Sequence, residues 1–165
     1  MNKILVVVDL ENVTFHLFKS QDKEVDPSDV FAAAVEKIKA IGQVYGIFLF
    51  LPPHSEPKGS ELLRKTPDCF MVVCPREISE GISMDTVDKT IKKFCEKVVT
   101  QMPDITHLCL FTGDKDYIPM LETLKKEGLK IMIVGGEKTS LSPKLKRVAD
   151  KYPRGNKEMV FLLTP

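Results

Sequence analysis

Five aspartates stand where they could share a charge. Asp9 follows directly on a short apolar run, in Val7-Val8-Asp9-Leu10-Glu11-Asn12. Asp114 and Asp116 follow another, in Leu110-Phe111-Thr112-Gly113-Asp114-Lys115-Asp116-Tyr117, and the segment Met84-Asp85-Thr86-Val87-Asp88 offers two more. Carboxylates gathered at one place repel and raise one another's pKa unless a cation lies among them. Oxygen donors alone select a hard ion, Mg²⁺ or Mn²⁺. An ion so held can activate water and offset the charge that builds on a phosphoryl group during in-line displacement, so phosphodiester hydrolysis is the chemistry that fits.

Such a cluster needs elements that bring distant residues together. Short, continuous apolar runs recur at Ile4 to Val8, Val44 to Leu51, Phe70 to Val73, Leu108 to Phe111, Ile131 to Val134 and Met159 to Leu163, as in strands covered on both faces. Between them lie stripes at helical spacing. Asp26-Pro27 supplies a capping carboxylate and a first-turn proline ahead of Val30, Phe31, Ala34, Val35, Ile38 and Ile41, with Gly42 as the stop. Met84, Val87, Ile91, Phe94, Cys95 and Val98 form a second stripe, and Ile118, Leu121 and Leu124 before Gly128 a third; a last helix fits Pro143 to Lys151. Pro52 to Gly59 reads as an irregular loop.

Strands alternating with helices imply right-handed crossovers and a three-layer α/β domain: a mainly parallel sheet of five or six strands with helices on both faces. In such a sheet the carboxyl ends of the strands share one edge, and ligands bind where the strand order reverses. Asp9 and Asp114 meet there if their strands are neighbours. On the middle helix, at about 100° per residue, Asp88 falls roughly 70° from the centre of the apolar stripe and Asp85 roughly 130°. Asp88 therefore leans toward the core and Asp85 toward water.

Each residue also has an ordinary structural use. Asp9 could form a strand-end turn, Asn12 could cap a helix over Val13 to Phe18, and Asp114 or Asp116 could cap the helix that follows them. Asp88 has Lys92 four residues on, a common surface pair. It is the joint occurrence of these residues that favours a site.

The 165 residues are 43% hydrophobic, with 24 Lys and Arg against 23 Asp and Glu, the profile of one ordinary domain spanning 1–165. A net charge of +1 excludes recognition by bulk charge, so any nucleic-acid binding must come from local patches. A chain this long needs no disulfide or structural metal to hold its core. Cys69, Cys74, Cys95 and Cys109 contain no CxxC pair and suit a reducing cytoplasm. The run Ile4 to Val8 is too short for a secretory segment, and no stretch is long enough to span a membrane. His16, His54 and His107 lack metal-site spacing, and neither GxSxG nor GxGxxG occurs.

The motifs together, Val-Asp-x-x-Asn after the first strand, Val-Asp-x-x-Ile on the middle helix and Thr-Gly-Asp-x-Asp-Tyr-Ile-Pro-Met-Leu after the fourth strand, resemble the NYN domain, a LabA-like branch of the PIN-like nucleases. Gly135, Ser142, Leu145, Ala149 and Asp150 match the family's closing pattern, so the resemblance runs from about Lys3 to Tyr152. It implies a Rossmann-like (PIN-like) fold and metal-dependent cleavage of RNA, with Mg²⁺ or Mn²⁺ on Asp9, Asp88, Asp114 and Asp116. It further implies that Asn12 positions substrate or a water, that Thr112 supports the turn, and that Gly113 lets the backbone pass close to the metal. Two positions depart from the family: Leu10 replaces the usual small residue, and Asp85-Thr86 replace the Lys-Gly that commonly precedes the middle motif, with Phe94 where a further acid is common.

An RNA substrate needs cations aimed at phosphates. Between Glu137 and Glu158 stand Lys138, Lys144, Lys146, Arg147, Lys151, Arg154 and Lys157 against only Glu137, Asp150 and Glu158, while Lys58, Arg64 and Lys65 flank the Pro-rich segment and Lys115 lies inside the motif. Phe15, Phe18 and Tyr117 could stack bases, with Phe18 better suited to the core. The alternative to a nuclease is a non-catalytic RNA-binding or protein-interaction module using the same edge. A small-molecule phosphohydrolase ranks last, because Glu11 stands where a second aspartate is needed. PIN-like domains frequently pair, which leaves a homodimer open, and no patch in the sequence marks an interface.

Overall fold

A computed structural model describes residues 1–19 and 25–163. The chain runs β1 (Lys3–Asp9), α1 (Leu10–Thr14) with a π-helical continuation (Phe15–Lys19), α2 (Pro27–Lys39), β2 (Gln43–Leu51), a 3₁₀ turn (Pro53–Ser55) leading into α3 (Glu56–Leu63), and β3 (Cys69–Val73). A hairpin of β4 (Glu77–Ser79) and β5 (Ile82–Met84) precedes α4 (Val87–Gln101) and β6 (His107–Phe111). A second 3₁₀ turn (Lys115–Tyr117) opens α5 (Ile118–Lys126), followed by β7 (Lys130–Gly135), α6 (Pro143–Val148) and β8 (Val160–Leu162).

The main sheet has six strands in the order β3-β2-β1-β6-β7-β8, and every pairing is parallel. Alternation along β1 splits its apolar residues between two cores. Ile4, Val6 and Val8 pack with α1, α2 and α3 through Leu10, Val13, Phe31, Val35 and Leu62. Leu5 and Val7 pack with α4, α5 and α6 through Val87, Ile91, Leu121, Leu124 and Leu145. The chain winds outward from β1 in both directions, so the order reverses between β1 and β6. That reversal is the topological switch point of a doubly wound sheet.

The α/β architecture agrees with the sequence pattern, and four local expectations need correction. Pro52 to Gly59 is not an irregular loop: it forms the 3₁₀ turn and the first half of α3. Pro57 sits in the first helical turn, where its missing N–H costs nothing, and Gly59 lies where an added Cβ would come 2.7 Å from Met71 Sδ. Met84 belongs to the exposed hairpin, so the second stripe starts at Val87. The final helix stops at Val148 because Ala149 turns to extended backbone (ψ 137°) and Asp150 joins the edge of β7, its N–H donating to Ile131 O at 2.8 Å. α2 ends at Lys39, and Gly42 serves instead as a point of close approach, where a Cβ would lie 2.5 Å from Asn2 O. Asp26 does cap α2, accepting from Ser28 N–H at 2.9 Å. No helix among the described residues is long and apolar enough to cross a membrane.

Candidate metal centre at the switch point

Asp9 is the last residue of β1, and the register pairs its neighbour Val8 with Phe111, the last residue of β6. The two motif segments therefore leave adjacent strands at the same level. By strand alternation Asp9 shares the face of Leu5 and Val7, which is the face covered by α4 and α5. There it is 9% exposed and accepts a hydrogen bond from the Tyr117 hydroxyl at 2.9 Å and another from the backbone N–H of Asn12. Burial pushes the Asp9 carboxyl up to about 6, with the charges of Asp88 and Asp114 acting in the same direction and the two hydrogen bonds opposing. The Tyr117 hydroxyl is pushed well above its ordinary value, first by burial and then by Asp9 and Asp88, so it stays protonated and donates.

The β6 turn is built by its own side chains. Thr112 is fully buried, its N–H donates to Val134 O at 3.0 Å, and its Oγ1 accepts from Asp114 N–H at 3.1 Å. Asp114 in turn caps the 3₁₀ turn by accepting from Asp116 N–H at 2.9 Å. Gly113 N–H donates to Asn12 Oδ1 at 2.6 Å, which ties α1 to the turn after β6. A Cβ on Gly113 would crowd Ser140 O at 3.2 Å, so a glycine fits the close packing of three loops.

Asp88, on the first turn of α4, is half-buried, as the helical-face argument expects, and Asp85 is exposed. Asp85 lies before the helix and accepts from Val87 N–H at 2.8 Å. One oxygen of Asp88, Oδ2, pairs with Lys92 at 3.2 Å. The other, Oδ1, is buried and has no hydrogen-bond partner among the described residues. Tyr117 has a single hydroxyl proton, and it is given to Asp9. A buried carboxylate oxygen without a donor is costly, and a bound cation would remove that cost.

Asp9, Asn12, Asp85 and Asp88 line one open cleft of about 320 Å³, together with Glu11 and Val87. Among the described residues no three His, Cys, Asp or Glu side chains close round a single point. The donor set nevertheless suits Mg²⁺, which keeps several waters and is commonly held by one or two carboxylates plus substrate phosphates rather than by an all-protein cage. The all-oxygen chemistry and the orphaned Asp88 Oδ1 both fit a hard divalent ion.

Four sequence-based assignments change. Asp116 is exposed and lines a separate groove with Lys92, Glu96 and Thr123, because the cap it forms with Asp114 engages its backbone and turns its side chain along α5. Tyr117 cannot stack bases, since it is fully buried with its hydroxyl on Asp9. Asn12 caps nothing, because α1 already starts at Leu10. Gly113 makes room for Asn12 and Ser140, the two groups that pack against it. Lys115 is exposed on the rim beside Asp114, and Phe18 is half-buried against the α1 to α3 core.

Glu11 is a carboxylate that sequence reasoning passed over as a site residue. It is held at the cleft by His54 Nε2 at 2.7 Å and Ser55 Oγ at 3.2 Å. Its only signal was its place two residues after Asp9. The His54 and Ser55 contacts come from a segment whose prolines concealed a helix.

A doubly wound sheet with acidic side chains at its switch point defines a class of α/β domains that bind ligands at that edge. Within it the chain belongs to the NYN domain family, a PIN-like nuclease family, whose model matches residues 3–154. The chain is similar in fold to a protein of unknown function from Vibrio parahaemolyticus, known from a crystal structure, at 18% identity and a TM-score of 0.69, covering 98% of this chain and 91% of that one. Comparison with curated proteins gives no match.

Proposed function

We propose that this chain is a divalent-metal-dependent ribonuclease of the LabA-like branch, acting in the cytoplasm on RNA. Asp9, Asp88 and Asp114 are its metal-directed carboxylates, and Mg²⁺ or Mn²⁺ is its ion. The observation that carries the reading is the buried, unsatisfied negative charge at the switch point: a desolvated Asp9 beside an Asp88 oxygen that has no donor among the described residues.

When bound, the ion supplies an activated water and neutralises charge developing on the phosphoryl oxygens. The chain's own residues do the rest. Tyr117 fixes the orientation of Asp9 and prevents it from turning away from the cleft. Asn12 locks the β6 turn to α1, which sets the separation of Asp9 and Asp114. Asp114, engaged by the Asp116 N–H, adds its charge to that of Asp9. Lys115, exposed beside it, meets the phosphate of an approaching strand.

A second reading has one observation behind it. Lys92 already neutralises Asp88 Oδ2 at 3.2 Å, which a module that holds RNA or a protein without cutting would tolerate. The two readings separate in one assay on single-stranded RNA. The nuclease cuts in Mg²⁺ or Mn²⁺, stops in EDTA, and loses on the order of a thousandfold in rate in Asp114→Asn, the loss of about 4 kcal/mol of transition-state stabilisation. Unchanged cleavage in EDTA overturns the metal role. RNA retention with no turnover at any metal concentration favours the binding module.

A further inference from the structure

Right-handed crossovers place α5 and α6 side by side over β6, β7 and β8, with their N-terminal turns at the rim that carries the carboxylates. Between them runs a groove of about 540 Å³ with an apolar floor of Ile118 and Val148. Its walls carry Lys125, Lys126, Lys144 and Arg147 against a single acid, Glu122. Lys125 is committed to the fold, donating to Val148 O at 2.9 Å and lying 3.8 Å from Asp150.

The other three cations differ from the lysines that are paired with an acid elsewhere on the molecule. Lys39 has Glu36, Lys65 has Asp26 and Asp29, Lys89 has Glu77 and Lys92 has Asp88. None of the ion pairs among the described residues takes Lys126, Lys144 or Arg147. Uncompensated cations converging on one trough favour an anionic occupant, and an apolar floor favours one that also carries ribose and base surface.

Chain connectivity brings one end of the groove close to the turn that carries Asp114. Ile118, on its floor, opens the helix that follows the Asp114 cap. Ser140, whose carbonyl packs against Gly113, lies just before the start of α6. From Ile118 to Lys126 the helix rises about 12 Å, enough to follow a strand over more than one phosphate. We propose that the groove between α5 and α6 holds the phosphate backbone of the single-stranded RNA flanking the bond presented to Asp9 and Asp114. The proposal rests on the reading of the chain as an RNA-directed protein and names where its substrate lies.

The test is binding of a fluorescein-labelled single-stranded RNA by anisotropy, in EDTA so that nothing is cut, across a salt series. The double variant Lys144→Glu/Arg147→Glu should bind at least tenfold more weakly at low salt. Its slope of log K against log[salt] should fall by about 1.4, at roughly 0.7 per single-strand phosphate contact. Lys37→Glu/Lys97→Glu, which alters exposed lysines on α2 and α4, should leave both quantities unchanged. Circular dichroism confirms that each variant is folded. Equal losses in the two variants, or a wild-type slope in the groove variant, overturn the groove. Competition by polyglutamate as effective as unlabelled RNA also overturns it, by showing a general anion surface. Wild-type cleavage in Mg²⁺ with an unaltered slope in the groove variant rejects the groove alone. Absence of both binding and cleavage in the wild type rejects the underlying RNA reading.

Discussion

The two ends of β1 treat polar groups in opposite ways. At its start, Lys3 N–H donates to Thr106 Oγ1 at 2.8 Å, and Thr106 N–H donates to Lys3 O at 2.9 Å. Asn2 Nδ2 donates to Ile41 O at 3.2 Å, its own carbonyl accepts from Gln43 N–H at 2.9 Å, and Gly42 packs against it. At its end, Asp9 is buried with its carboxyl pushed up to about 6, and Asp88 Oδ1 beside it lacks any donor among the described residues. One end is closed by hydrogen bonds that serve the fold. The other holds carboxylate charge that the fold by itself leaves dissatisfied, and such places are where ligands bind.

That contrast can be broken most forcefully by pH. Between its ordinary value of 3.8 and about 6, the folded chain binds a proton at Asp9 that the unfolded chain has released, so stability falls as pH rises through that window. A shift of this size corresponds to about 3 kcal/mol. Denaturant titrations in EDTA at pH 4 and pH 7 should show it, and saturating Mg²⁺ at pH 7 should restore about 2.7 kcal/mol at a hundredfold excess over Kd. A metal-free stability that rises steadily from pH 4 to pH 7 would contradict the assignment.

A smaller effect tests the opposite end. Thr106→Val removes the acceptor for Lys3 N–H and leaves part-buried backbone short of a partner, at a cost of about 1 to 2 kcal/mol. Equilibrium unfolding should register this loss while the proposed RNA cleavage, per folded molecule, stays at the wild-type rate. A proportionate loss of activity would show that the two ends are not independent.

The smallest effect has the opposite sign. Asp88→Asn removes a charge from the acidic edge at the expense of the surface pair with Lys92, and an exposed pair at this spacing is worth only about 0.3 to 0.5 kcal/mol. Metal-free stability should rise by about 1 kcal/mol, and metal-dependent stabilisation should weaken. If the variant is less stable than wild type in EDTA, Asp88 serves the fold rather than the site.

Much of this was legible in the residues themselves. Continuous apolar runs locate the six strands of the main sheet to within a residue or two at either end, because strands buried on both faces tolerate few polar residues. The Asp26-Pro27 start of α2 is a local hydrogen-bonding device and needs no tertiary context. Helical spacing placed Asp88 at the edge of the apolar stripe, whereas Asp85 lies before the helix and lines the same cleft. The hairpin of β4 and β5 leaves no periodic signature because its apolar residues Ile78, Ile82 and Met84 stay largely exposed and join neither core. Helix α3 is masked because Pro57 and Gly59 usually punctuate chains, although here one occupies the first turn and the other a tight contact.

The amino-acid sequence determined the six strands of the main sheet, most of the helices and where the acidic side chains stand along the chain, since these depend on neighbours a few residues away. Only the tertiary structure decided which of those side chains share a space. The strand order made β1 and β6 neighbours, the Tyr117 hydroxyl chose Asp9, and the turn of the Asp114 cap sent Asp116 into another groove. Burial, which depends on everything packed around a group and on nothing visible beside it in the chain, left Asp9 desolvated and one oxygen of Asp88 without a partner among the described residues.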